Sequence, residues 1–215
     1  MCSRFSVGRC FGPVAGLRDS AVPDTAEIAL TAQEPIVIII PGLGGSGPEH
    51  WQTVWCARLA RCVRVMQRDW DRPDRELWLQ ALRQAVEAAH APVVLIAHSL
   101  GCALVAHAVR RWPALCARAV GAALLVAPAD VDSPAHTPPE TRSFAPMPLG
   151  RLPFAATVIA SGDDPYVTFA RARGFAAAWG ADFVDAGPVG HINAASGLDD
   201  WAAGRRALAA LIDRS

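Results

Sequence analysis

From Pro35 onward the chain alternates short apolar runs with longer amphipathic stretches. Ile36-Val37-Ile38-Ile39-Ile40 is a continuous β-branched run, the pattern of a strand covered on both faces. Val93-Val94-Leu95-Ile96-Ala97, Ala122-Ala123-Leu124-Leu125-Val126 and Ala156-Thr157-Val158-Ile159-Ala160 repeat that signature. Val63-Arg64-Val65 and Asp182-Phe183-Val184 read as shorter strands. Between them the apolar spacing turns helical: Trp51 to Ala60, a long helix capped by Asp74 and running to about His90, Cys102 to Arg111, Phe169 to Trp179, and Asp199 to Ile212. In the second of these, Leu77, Leu79, Leu82 and Val86 make the expected apolar face, and Pro113 is read as ending the third.

Strands apolar throughout and alternating with helices predict an α/β protein with a compact, mostly parallel sheet and helices on both faces. One stretch breaks the rhythm. Pro128 to Pro153 holds seven prolines and no clear period, and is too short for a second domain. It is expected to run over the carboxyl edge of the sheet, where open α/β sheets bind ligands.

Composition narrows the class without naming a chemistry. Of 215 residues 52% are hydrophobic and 19% charged, the wrong balance for intrinsic disorder. Twenty basic residues, all Arg, offset twenty acidic ones, so no basic surplus suggests a nucleic-acid partner. No apolar run approaches the roughly 20 residues of a membrane span, so no membrane partner is expected. The six cysteines form no CxxC pair, and are expected to be small buried hydrophobes kept reduced in a cytoplasm. Residues 1–34, with scattered Phe5, Val7, Phe11, Val14 and Leu17, lack the apolar core of a signal peptide and read as a disordered extension. The domain is expected to occupy residues 35–215.

The sharpest local signal is Ala97-His98-Ser99-Leu100-Gly101, where a strand ends and a helix begins. A nucleophile elbow lifts a serine Oγ clear of a sheet, and needs small residues two before and two after it. Ala97 stands where Gly is more usual; the bland alternative is a serine capping its helix. Serine needs a base, and six histidines compete. His98 adjoins the serine and should point away from it. His90 suits a helix C-terminus, His107 lies mid-helix, and His136 falls in the proline-rich stretch. His50 is near a glycine loop and is a candidate for the pocket wall. His191, in Gly187-Pro188-Val189-Gly190-His191 after the last strand, satisfies the chain order serine, acid, histidine. The orienting acid should follow the strand ending at Ala160, in Ser161-Gly162-Asp163-Asp164-Pro165; position alone leaves Asp163 and Asp164 close to even. The loop Pro41-Gly42-Leu43-Gly44 and the residue after the serine offer backbone N–H groups for an oxyanion, from Leu43 and Leu100. No phosphate-loop or metal-ligand spacing occurs, so no cofactor and no metal are expected.

These residues form a recognisable ordered set. PGLGGSGPEHWQTVW, QRDWDRPDRELWLQAL, LIAHSLGC, SGDDPYV and GHIN resemble the small α/β-hydrolases that include retinoblastoma-binding protein nine and the bacterial YdeN-type serine hydrolases. The resemblance spans about residues 35–213. It implies an α/β-hydrolase fold with no large lid domain and a triad of Ser99, Asp164 and His191, the acid being the Asp three before the Val of the D-x-x-V turn. It also places Trp51 and Trp70 near the active-site edge as a possible apolar pocket, against core packing as the plainer role for such rings.

The expectation is therefore a carboxylesterase-type serine hydrolase acting on small neutral esters. A peptidase or thioesterase with the same triad is a second reading. A non-catalytic binding protein on the same fold is a third, since fold alone never fixes function.

Overall fold

The computed structural model describes residues 35–214; the extension expected over residues 1–34 lies outside them. Six strands and six helices follow in chain order: β1 (Ile36–Ile40), α1 (Trp51–Arg58), β2 (Cys62–Arg64), α2 (Arg75–Glu87), β3 (Val93–His98), α3 (Leu100–Arg111), α4 (Pro113–Ala119), β4 (Val120–Val126), β5 (Ala155–Ala160), α5 (Phe169–Trp179), β6 (Asp182–Asp185) and α6 (Ala202–Ile212). The strands pair in the order β2-β1-β3-β4-β5-β6, and every pairing is parallel.

Alternate side chains of a strand point to opposite faces, and both faces here are buried. Ile38, Ile40, Leu95, Ala97, Ala123 and Leu125 meet Leu82 of α2, Leu104 of α3 and Phe175 of α5 on one side. Val37, Ile39, Val94, Ile96, Leu124 and Val126 meet Trp51 and Trp55 of α1 and Leu208 and Leu211 of α6 on the other. That two-sided burial is why the strands read as unbroken apolar runs.

Local signals account for several helix ends. Asp74 caps α2 by accepting from the Leu77 N–H at 2.9 Å. Gly180 ends α5 at φ 68°, a left-handed conformation that glycine adopts cheaply. Two expectations are corrected. Pro113 does end α3, but it also opens α4 from the first helical position, where its missing N–H costs nothing. Leu77 is exposed, and Trp78 takes the buried place beside Leu79, Leu82 and Val86, because the apolar stripe of a 3.6-residue helix falls one residue later.

The cysteines divide. Cys102 and Cys116 are buried free thiols; burial raises both, that of Cys116 to about 11. Cys56 and Cys62 are instead joined in a disulfide, their Cα atoms 5.4 Å apart. That corrects the expectation of reduced cysteines for this pair: six residues of separation conceal that the turn between α1 and β2 doubles back within bridging distance. Among the described residues no helix is long and apolar enough to cross a membrane.

Strand order places the site. The chain leaves β1 for β2 on one side and returns to β3 on the other. The connection after β1 leads to α1 on one face of the sheet, and that after β3 leads to α3 on the other. Such a switch point opens a crevice at the carboxyl edge, and the Pro41–Gly47 loop and Ser99 stand on either side of it. The proline-rich stretch runs over that edge as expected. It contains a 3₁₀ helix (Pro139–Phe144) and is tied down by His107, whose Nε2–H donates to the Phe144 carbonyl at 2.6 Å.

Candidate active site

Ser99 sits between β3 and α3 with φ 56° and ψ −122°. An L-residue there costs of order 1–3 kcal/mol and persists only when its surroundings over-determine it. They do: the Ser99 N–H donates to the Val126 carbonyl at 3.0 Å, and the end of β1 presses on the turn. A Cβ on Gly101 would stand 2.5 Å from the Ile40 carbonyl oxygen, and one on Gly42 2.8 Å from the Ser99 Cβ. The tight glycine requirement thus falls on positions 42 and 101, while the Ala97 methyl is accommodated within the core.

The Ser99 hydroxyl makes no helix-capping bond. It lies 2.8 Å from Nε2 of His191, and Nδ1 of His191 lies 2.9 Å from both carboxylate oxygens of Asp164. Asp164 also accepts the Tyr166 N–H at 2.8 Å, which fixes its orientation. All three side chains are buried. The arrangement defines the tautomer: Nδ1 of His191 donates to the carboxylate, leaving Nε2 to accept from the serine hydroxyl.

Asp163 faces elsewhere. Its Oδ1 accepts from the Ser161 hydroxyl and from the Gly190 N–H, each at 2.7 Å, and Ser161 Oγ accepts the Val189 N–H at 3.0 Å. Those donors, Ser161 first, hold its carboxyl below the usual carboxylate range. One of two adjacent aspartates therefore meets the histidine, and the other anchors the loop that carries it.

Trp51 and Trp70 line no part of the cleft, contrary to the expectation of an apolar pocket. Trp51 is buried among Trp55 and Trp201, and its Nε1–H donates to the Ile192 carbonyl at 2.8 Å. Ile192 has φ 49°, an unfavourable region for a β-branched residue, so this bond steadies the backbone just after His191. Trp70 packs edge-on to Trp78 and accepts the Gly44 N–H on its carbonyl at 2.9 Å, supporting the glycine loop from behind.

His98 also departs from expectation. Rather than pointing away, its buried ring lies 4.8 Å from that of His191, and its Nε2–H donates to the His191 carbonyl at 2.9 Å. Burial, then the neighbouring His191 and His50, keep its pKa well below the ordinary imidazole value. Position beside the serine was the available signal; side-chain direction at a strained turn was not readable from it.

The cleft around Ser99 and His191 measures about 150 Å³. Leu43, Leu100 and His50 form part of its wall, with Thr137 and Thr141 from the proline-rich stretch and Tyr166 beside Asp164. Among the described residues no Arg, Asp or Glu lines it. Leu100 is the first residue of α3, whose N–H has no partner within the helix. Thr137, Thr141 and Tyr166 escaped the sequence reading because no local motif marks a wall built from a distant loop.

Comparison with known proteins agrees with this architecture. A family described as serine hydrolase matches residues 37–210. A YdeN-like hydrolase from Pectobacterium atrosepticum is 32% identical, with 83% of this chain and 90% of that one covered at a TM-score of 0.73. The ydeN gene product of B. subtilis is 21% identical, covering 84% and 100% at 0.67. A hydrolase of the α/β superfamily from Xanthomonas campestris pv. campestris shares the fold at 20% identity, 82% and 99% coverage and 0.56. No curated protein matches the sequence.

Proposed function

The chain belongs to the serine hydrolase family, and from that premise we propose that it is a carboxylesterase-type enzyme acting on small neutral esters through Ser99, His191 and Asp164. The observation that carries the reading is the unbroken relay of hydrogen bonds, Ser99 Oγ to His191 Nε2 at 2.8 Å and His191 Nδ1 to Asp164 at 2.9 Å.

In the first half-reaction Oγ of Ser99 bonds to the ester carbonyl carbon as its proton passes to Nε2 of His191. Asp164 keeps the imidazole in the required tautomer and stabilises the imidazolium. The N–H groups of Leu43 and Leu100 receive the oxyanion. The carbon–alkoxy bond then breaks, and the departing alcohol takes the proton from His191. Water repeats the sequence on the acyl-enzyme, releasing the acid and restoring Ser99.

The cleft supports a small, neutral substrate. Its volume is below the roughly 300 Å³ at which pockets begin to enclose drug-sized ligands. Among the described residues no Arg, Asp or Glu stands in its wall to compensate a charged acyl group.

Labelling with a fluorophosphonate, read by intact mass and peptide mapping, tests the reading. One adduct on Ser99 in the wild type and none in Ser99→Ala is expected. A folded wild type that takes no label would move the binding-protein reading ahead, and activity surviving in Ser99→Ala would remove the mechanism.

A further inference from the structure

His50 contributes its ring to the wall of the cleft that holds Ser99 and His191, and its side chain is almost wholly buried. Its two nitrogens have different fates. Nδ1 caps α1, accepting the Gln52 N–H at 3.1 Å, so in the neutral ring the proton sits on Nε2. Burial first, then Arg64 and His191, lower its pKa to about 4, so the ring is neutral near pH 7. Nε2–H is then a committed donor, and among the described residues it is the one buried side-chain nitrogen or oxygen with no hydrogen-bond partner. A buried donor without an acceptor is disfavoured, and native structures keep few of them. Helix capping explains Nδ1 and leaves Nε2 unexplained.

We propose that His50 is a specificity-determining residue whose Nε2–H binds an uncharged oxygen acceptor on the acyl part of the substrate, close to the scissile carbonyl. This rests on the esterase reading of Ser99 and names the substrate class within it: esters of short acids bearing an ether, keto or hydroxyl oxygen near the carboxyl carbon. The acyl side is favoured because the alcohol must leave after the first half-reaction, while the acyl group stays on Ser99 against the buried wall. A neutral donor also suits a neutral acceptor, in keeping with a wall that among the described residues holds no Arg, Asp or Glu. A site built to satisfy a buried donor rejects the analogue that lacks the acceptor.

The test compares p-nitrophenyl methoxyacetate with p-nitrophenyl butyrate, whose acyl chains differ by an oxygen in place of a methylene. Each variant is referred to the wild type on the same ester, so their unequal intrinsic reactivity cancels. His50→Phe keeps a ring without the donor. His50→Asn keeps an oxygen to cap α1, while its shorter amide cannot place a donor where Nε2–H stands. Relative to the wild type, both variants should lose roughly 10- to 100-fold more in kcat/KM on the methoxyacetate than on the butyrate. Equal losses on the two esters, in a His50→Asn protein that melts like the wild type, would reduce His50 to a structural role and overturn the proposal. So would no loss on either. A wild type that takes the fluorophosphonate on Ser99 yet cleaves neither ester overturns this inference alone. One that neither labels nor cleaves removes the esterase reading and the inference with it.

Discussion

The Nε2–H of His98 donates to the carbonyl oxygen of His191 across 2.9 Å, although 93 residues separate them. The residue beside Ser99 thus holds the backbone of His191. His98 sits at the end of β3, a central strand, so the His191 loop is tied to the middle of the sheet. Replacing His98 with Phe removes that bond and leaves the His191 carbonyl to find another donor, worth about 1–3 kcal/mol in a buried setting. The expected result is a fall in kcat of about 10- to 100-fold with KM little changed. Steady-state kinetics checks it; a pure KM effect would show that His98 touches substrate instead.

The adjacent aspartates should separate cleanly. Asp164→Asn leaves the shape of the triad but presents an amide to Nδ1, and a loss on the order of 10³- to 10⁴-fold in kcat is expected. Asp163→Asn retains an oxygen that still accepts from Ser161 and Gly190. Its expected loss is below about 10-fold, since a neutral acceptor replaces a charged one. Parallel kcat measurements decide, and a larger loss at position 163 would reassign the acid.

Glycine-to-alanine changes at two positions should have opposite signs. At Gly101 the new methyl would stand 2.5 Å from the Ile40 carbonyl oxygen and 2.9 Å from that of Pro41, both backbone atoms that cannot step aside. Overpacking of this kind costs about 1–3 kcal/mol or more. Gly174, exposed within α5, has nothing within 4 Å of such a methyl, so alanine there should add about 0.5–1 kcal/mol through helix propensity. Denaturant titration of the two variants beside the wild type measures both.

Stability should fall on mild acidification. Burial lowers the pKa of His50, His98 and His107 in the folded protein. Below pH 6.5 the unfolded chain therefore binds protons that the native state refuses. The contribution is complete above pH 6.5 and for His50 declines as the pH drops toward about 4, by up to about 1.4 kcal/mol per pH unit. Denaturant titrations at pH 7, 6 and 5 should show His50→Asn losing stability less steeply than the wild type. Parallel pH dependences would mean that His50 does not titrate differently on folding.

How far the site was readable depends on the range of the interaction involved. Ser99 was legible because a strand, a turn and a helix are consecutive in the chain, and the small residues such a turn needs lie within five positions. His191 was legible through chain order. The choice between Asp163 and Asp164 was not legible from the residues themselves, because adjacent side chains diverge and only the position of the His191 loop says which one meets the ring. The resemblance pointed to Asp164, and that is the carboxylate in contact with His191.

The sequence by itself determined the strand pattern, the helices other than α4, the parallel sheet and the place of the strand–turn–helix at Ser99, because each depends on periodicity and turn chemistry over a few residues. Tertiary structure alone decided that Trp51 buttresses Ile192 and Trp70 backs the glycine loop, that His98 turns toward His191, and that Cys56 meets Cys62. It also left the buried Nε2 of His50 without a hydrogen-bond partner. Most of these are contacts between segments brought together by the strand order. A tryptophan or histidine has the same local signature whether it faces a cavity, a core or a distant carbonyl, and only the neighbours that folding delivers settle which.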